Sequence, residues 1–242
     1  MPNARRRAAD RLRPVRITPD FITNADGSCL IALGRTRVVC TATIQDRVPR
    51  WLRGQGKGWV TAEYGMLPAS AGQRVRRPGP GGTSSRGTEI RRLIGRALRA
   101  GTRLDALGEH EVIVDCDVLE ADGGTRCAAI TGGWVALARA LARARTDGRL
   151  TADGPDPIAE QVAAVSCGIV AGRPLLDLDY ADDSRATVDA NLVMTAGGRL
   201  IEVQASGEEA TFSGADLGRL LRLARTGCEI LAKHQARAVK EV

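Results

Sequence analysis

Residues 111–145 read EVIVDCDVLEADGGTRCAAITGGWVALARALARAR, and the change of period inside this stretch decides the fold class. Glu111 to Leu119 is rich in β-branched and apolar residues and predicts a strand. Ala121-Asp122-Gly123-Gly124 is a tight turn. From Thr125 to about Arg145 the apolar residues Cys127, Ile130, Trp134, Leu137 and Leu141 recur at helical spacing, on one side of a long helix.

Working outward, Ser28–Leu33 and Arg37–Ile44 are β-type runs joined by Gly34-Arg35-Thr36, which reads as a hairpin. Trp59–Tyr64 is a third strand. Ala69–Ser85 is rich in Gly, Pro and Ser without periodicity and is expected to be a mobile loop. A helix follows from near Arg86, with Ile90, Leu93, Ile94, Ala97 and Leu98 on its buried face, Ser84 or Ser85 as cap and Gly101 at its end. Downstream, Ala163–Val170, Pro174–Tyr180, Asp189–Thr195 and Leu200–Ser206 are strand candidates. Ser213 with Asp216 resembles a capping box opening a last long helix whose stripe is Leu217, Leu220, Leu221, Ala224, Cys228 and Leu231. Strands come first and helices last in each half, so α+β is favoured over a doubly wound sheet. Pro155 and Pro157 fall in the loop between the halves.

The 242 residues suffice for one domain or two small ones. With 43% hydrophobic and only 3% aromatic residues, the core is built from Val, Leu, Ile and Ala, and base stacking on an aromatic platform is disfavoured. A formal charge of +7 points to a polyanionic partner, nucleic acid before a membrane surface. No apolar run is long enough to span a bilayer, and Met1–Arg16 is Arg-rich with no apolar segment behind it, so neither a membrane partner nor a secretory signal is expected. Cys29, Cys40, Cys116, Cys127, Cys167 and Cys228 form no CxxC pair and read as buried thiols in a reducing compartment, hence a cytoplasmic protein.

Neither His110 nor His234 sits in a motif, and nucleophile elbows, metalloprotease signatures, P-loops and dinucleotide fingerprints are absent from the sequence. Two features remain. Gly123-Gly124-Thr125-Arg126 lies where a strand turns into a helix. Its backbone N–H groups, the Thr125 hydroxyl and the Arg126 fork suit a phosphate, with Arg86 as a possible second guanidinium. A tight turn with a surface arginine is the alternative. The run Asp177-Leu178-Asp179-Tyr180-Ala181-Asp182-Asp183, with Asp189 after it, offers oxygen ligands suited to Mg²⁺ or Mn²⁺, or is a solvated acidic turn. Asp115 and Asp117 share one face of an apolar strand, for which an ion pair is the expected compensation. The loop arginines Arg74, Arg76 and Arg77, together with Arg47, Arg50 and Arg53, look like a grip on a phosphodiester backbone.

Together these stretches resemble the ribonuclease PH family of phosphate-dependent tRNA nucleotidyltransferases. The resemblance is carried by Leu12-Arg13-Pro14-Val15, by the block Gly58 to Pro68, and by Glu89-Ile90 with Arg92 to Arg96. It continues through Asp115 to Val118 leading into Ala121 to Arg126, then Asp177 to Tyr180 with Asp183-Ser184, Val188-Asp189 and Asn191. Glu202-Val203-Gln204 and Ala210 to Ser213 complete it. It runs nearly end to end. It implies an α+β RNase PH fold, mixed sheets packed with helices and related to a ribosomal protein domain, with residues 1–242 as a single RNase PH domain. It also implies phosphorolytic 3′→5′ removal of nucleotides from tRNA precursors, reverse addition from nucleoside diphosphates, and a possible role in rRNA processing. Inorganic phosphate, the co-substrate, would be held by Arg86, Gly124, Thr125 and Arg126. Asp177 and Asp183 would bind Mg²⁺ or Mn²⁺ and support catalysis, Arg74, Arg76 and Arg77 would face RNA, and six copies would form a ring, a trimer of dimers. The chain differs from the family at Arg5-Arg6, at Ala69-Ser70-Ala71-Gly72 and at Gly87. A non-catalytic ring subunit and a general-decay enzyme like polynucleotide phosphorylase are the competing readings.

Overall fold

The computed structural model describes residues 7–76, 84–208 and 210–240. One sheet is built from β1 (Val15–Pro19), β2 (Gly27–Leu33), β3 (Thr36–Gln45), β4 (Trp59–Met66) and β5 (Glu111–Glu120), in the order β1-β2-β3-β5-β4. All neighbours in it are antiparallel except β4 and β5, which run parallel and are joined through helix α1 (Ser85–Ala100). The hairpin read from Gly34 is β2–β3, with Leu33 opposite Thr36.

Helix α2 (Thr125–Thr146) follows β5 directly. A second, antiparallel sheet contains β6 (Val162–Val170), β7 (Arg173–Leu176), β8 (Ala186–Thr195) and β9 (Leu200–Gly207), in the order β7-β6-β8-β9. A four-residue helix α3 (Tyr180–Asp183) precedes β8, and α4 (Gly214–Lys240) closes the chain. Its capping box is formed: Ser213 N donates to Asp216 Oδ2 at 2.9 Å, and Asp216 N donates to Ser213 Oγ at 3.2 Å.

Helix α2 is the centre of the molecule. It packs on β2, β3 and β5 with one side and on β6 with the other, so the expected single apolar side is corrected to burial nearly all round. Ala128, Ala129, Ala136, Ala138, Ala140 and Ala144 are the residues that permit this, because small side chains let two sheets approach one helix. At the closest point a Cβ on Gly27 would stand 2.2 Å from the Ala136 carbonyl oxygen. One buried cluster runs without a break from β2 and β3 through α2 to β6, β8 and α4.

Strand β7 ends at Leu176, earlier than the expected Pro174–Tyr180. Asp177 adopts φ +56°, which no strand continues, while Leu178 turns into the core and Asp179 caps α3 by accepting from Asp182 N at 2.9 Å. No helix among the described residues is long and apolar enough to cross a membrane.

Candidate active site

Gly123 and Gly124 both take left-handed conformations, φ +78° and +68°, turning the chain from β5 into α2. Gly124 is the cap residue of α2 and has no side chain to offer. The N–H groups of the first helical turn, beginning at Thr125 and Arg126, therefore face outward beside the positive end of a 22-residue helix. Behind the turn lies Arg13, whose guanidinium donates to the carbonyls of Asp122 at 2.5 Å and Gly123 at 3.2 Å.

The side chains in front of the turn are held from three directions. Tyr64 Oη on β4 donates to Thr125 Oγ1 at 2.9 Å. Burial pushes the Tyr64 phenol up in pKa against the pull of the Thr125 bond, Arg86 and Arg126, so both cations sit within electrostatic reach of it. Arg126 donates to Gln204 Oε1 on β9 at 3.1 Å and to Glu89 Oε1 on α1 at 3.3 Å. Gln204 is fixed in turn by Glu202, which holds Arg96 at 2.8 Å. Arg86, in the first turn of α1, is exposed. Ser84 caps that helix by accepting from Gly87 N at 3.0 Å. At the family difference Gly87, a Cβ would stand 3.1 Å from Ser84 Oγ, and nothing in the structure explains the change.

The acidic run is sorted residue by residue. The expectation that Asp177 and Asp183 share one ion is corrected by the geometry. Asp177 is 3% exposed, and both carboxylate oxygens bind Arg13, Oδ1 to Nη2 at 2.7 Å and Oδ2 to Nε at 3.0 Å. Asp179 is a helix cap, and Asp182 is buried beside Arg185 at 3.5 Å and Arg7 at 3.8 Å. Asp183 is different: burial raises its pKa, opposed by the charges of Arg86 and Arg126. Asp189 on β8 is pushed up to about 6 by burial and then by Asp183, opposed by Arg126, while Asn191 Nδ2 donates to it at 3.3 Å. Asp183 and Asp189 thus share one electrostatic neighbourhood with Arg126. Two hard carboxylates whose ionisation is disfavoured together suit a divalent ion. No group of three metal-ligating side chains occurs among the described residues.

A cleft of about 440 Å³ adjoins these groups, lined by Tyr64, Met66, Leu67, Arg76, Arg86 and Asp117 among others. Of the loop arginines, Arg76 lines it, Arg74 is exposed on the same segment, and Arg77 lies outside the described residues. The loop stem is fastened to the phosphate turn, since Ala121 N donates to the Ser70 carbonyl at 2.7 Å. Arg47, Arg50 and Arg53 are corrected as partners of that loop. They follow Gln45, which pairs with Glu111 at the start of β5, whereas the cleft lies toward its far end at Asp117 and Leu119, roughly 20–27 Å away along the strand. His110 is at that distant end too, its Nδ1 2.7 Å from the Leu107 carbonyl oxygen. The expected ion pair of Asp115 and Asp117 is not found among the described residues. Burial raises the Asp115 pKa, and Asp117 and Glu63 raise it further.

Sequence reasoning missed Tyr64, Glu89 and Gln204 as members of the site. They lie in the segments that carried the family resemblance, but nothing in their spacing marks them as neighbours of Thr125 and Arg126.

Known proteins resemble this chain over nearly its whole length. Residues 11–142 match the model of the 3′ exoribonuclease family, domain 1, and residues 160–227 that of the same family's domain 2. A ribonuclease PH of Neisseria meningitidis (strain FAM18) is 53% identical over 234 residues, covering 96% of each chain. A ribonuclease PH of Cereibacter sphaeroides (strain ATCC 17029) is 53% identical over 232 residues, covering 95% of this chain and 97% of that one. In fold, the chain is similar to a subunit of the Archaeoglobus fulgidus exosome with RNA bound to the active site, with a TM-score of 0.79 at 23% identity over 94% of this chain and 90% of the other. A subunit of an archaeal exosome core gives 0.74 at 21% identity, with 95% and 89% covered.

Proposed function

The chain belongs to the 3′ exoribonuclease family of ribonuclease PH, and from that membership we propose how its residues divide the work of a phosphorolytic 3′→5′ exoribonuclease acting on tRNA precursors. The observation that carries the assignment is the convergence of Arg86, Arg126 and the open N-terminus of α2 on one side of Asp183 and Asp189. Cations with backbone donors opposite carboxylates are what a reaction between two phosphates requires.

Inorganic phosphate binds at Gly124, Thr125 and Arg126 with Arg86 on its other flank. One of its oxygens attacks the phosphorus of the last internucleotide linkage. The bond from that phosphorus to the 3′-oxygen of the preceding nucleotide breaks in line. The terminal nucleotide leaves as a nucleoside 5′-diphosphate, and the 3′-oxygen takes up a proton to become the new RNA end. One phosphodiester is exchanged for one phosphoanhydride, so the same site runs backward, adding nucleotides from nucleoside diphosphates. Asp183 with Asp189 would hold Mg²⁺ or Mn²⁺, which would supply positive charge to offset that of the reacting phosphates. Arg76, with Arg74 and Arg77 on the same loop, holds the RNA backbone without reading its sequence.

The buried cluster shared by both sheets supports residues 1–242 acting as a single domain. The family resemblance in the sequence supports a homohexamer, a trimer of dimers, and the six free, buried cysteines fit a reducing cytoplasm; rRNA ends are a further substrate class. Gel filtration with light scattering reads the hexamer as six chain masses.

The decisive test incubates the protein with a tRNA carrying a few extra 3′ nucleotides and Mg²⁺, with and without phosphate. Release of nucleoside diphosphates only when phosphate is present, lost in Arg126→Ala and Asp183→Ala, is expected. RNA binding without release would turn the reading to a non-catalytic ring subunit.

A further inference from the structure

Arg13, one residue short of the Pro14-Val15 entry to β1, is 5% exposed, yet its guanidinium leaves no donor unused. Nε and one Nη2 hydrogen reach Asp177, at 3.0 and 2.7 Å. The other Nη2 hydrogen reaches the Gly123 carbonyl at 3.2 Å, and Nη1 reaches the Asp122 carbonyl at 2.5 Å and Thr36 Oγ1 at 3.4 Å. The five N–H groups of the fork are thereby accounted for. Thr36, fully buried, is equally complete: its hydroxyl donates to the Gly123 carbonyl at 2.7 Å and accepts from Asp122 N at 2.9 Å.

In a trans peptide the carbonyl and the following N–H point in opposite directions. Drawing the Asp122 and Gly123 carbonyls back onto Arg13 and Thr36 therefore points the N–H groups of Gly123 and Gly124 forward. The first-turn N–H groups of α2 face the same side. Two successive left-handed glycines are free to rotate their peptides unless something fixes the carbonyl side. We propose that Arg13, clamped by Asp177 and assisted by Thr36, is the positioning residue that presets the backbone of the phosphate turn. The carboxylate of Asp177 acts on the reaction through this guanidinium, at the back of the turn, and not on the substrate. The inference rests on the reading of Gly124 to Arg126 as the phosphate site.

The test is a steady-state comparison of Arg13→Lys, Thr36→Val and Arg126→Ala, varying phosphate and RNA separately, with Kd for inorganic phosphate measured by calorimetry on the RNA-free hexamer. Lysine keeps the charge but has no planar fork with which to bridge two carbonyls and a carboxylate. Arg13→Lys is expected to raise KM and Kd for phosphate by about tenfold, and Thr36→Val by roughly threefold, with KM for RNA within about twofold of the parent. A role in stability alone would lower the active fraction and leave both KM values in place. Unchanged phosphate affinity in a folded Arg13→Lys overturns the proposal, as does parallel loss of phosphate and RNA affinity. Should Arg13→Lys not fold, the near-isosteric Thr36→Val decides by the same criterion. If Arg126→Ala also leaves phosphate affinity intact, the underlying site assignment fails; if only Arg126→Ala weakens it, the assignment stands and the positioning role falls.

Discussion

At the scale of single residues, the acidic run shows how identical side chains acquire different roles from their neighbours. Asp177 is neutralised by Arg13 in a buried pair, while Asp183 is exposed at the cleft side with its pKa raised. Their variants should separate. Asp177→Asn leaves a buried guanidinium without its counter-charge, a loss of about 3–5 kcal/mol that a melting experiment reads as a fall of roughly 10 °C in Tm. Asp183→Asn removes a carboxylate that burial disfavours, so Tm should hold or rise while phosphorolysis falls by roughly a hundredfold or more. A second residue-scale prediction concerns Asp115. Its pKa is raised by burial and by Asp117 and Glu63, so the folded state binds more protons than the unfolded state across the carboxylate range. Stability therefore declines as pH rises through that range, and the penalty is fully present above the folded pKa. Asp115→Asn should raise Tm at neutral pH, with the gain vanishing near about pH 3, below the unfolded value.

At the scale of elements, the phosphate turn and the acidic loop are built against each other. A Cβ on Gly123 would stand 2.6 Å from the Leu178 carbonyl oxygen and 2.7 Å from the Asp179 carbonyl carbon, at a φ of +78° that alanine resists. Gly123→Ala therefore displaces two segments at once. Phosphate affinity and metal-dependent turnover should drop together, by roughly tenfold or more each, with far-UV circular dichroism unchanged. The spacing along the sequence announced the turn and the strand before it, because two adjacent glycines and a change of period are local signals. It did not announce that β7 stops at Leu176, because the partner that binds Asp177 just past that end is Arg13, 164 residues away.

For the whole molecule, the two sheets are joined through α2 and α4, and one buried glutamine marks the junction. Gln235, fully buried, donates to the Thr131 carbonyl of α2 and the Val162 carbonyl of β6, both at 2.8 Å, and accepts from Gln161 at 3.0 Å. Gln235→Leu strips those carbonyls of a buried donor and should cost about 1–3 kcal/mol. Because one core spans both halves, denaturant unfolding of the variant should remain a single transition shifted to lower midpoint. Two separated transitions would show that the halves fold apart.

Periodicity, turn residues and caps were legible in the sequence because they are local: the helix stripe of Ile90 to Leu98, the hairpin at Gly34 and the box at Ser213 each depend on residues within a few positions. So were the glycine turn before α2 and the concentration of acids after β7. The tertiary structure alone decided which acids are available, which arginines reach the cleft, and that α2 is buried on both sides. A carboxylate's role is set by the charge and solvent around it, and those come from strands far away in the chain. Asp177 and Asp183 are alike to the sequence; folding places Arg13 against one and leaves Arg86 and Arg126 facing the other.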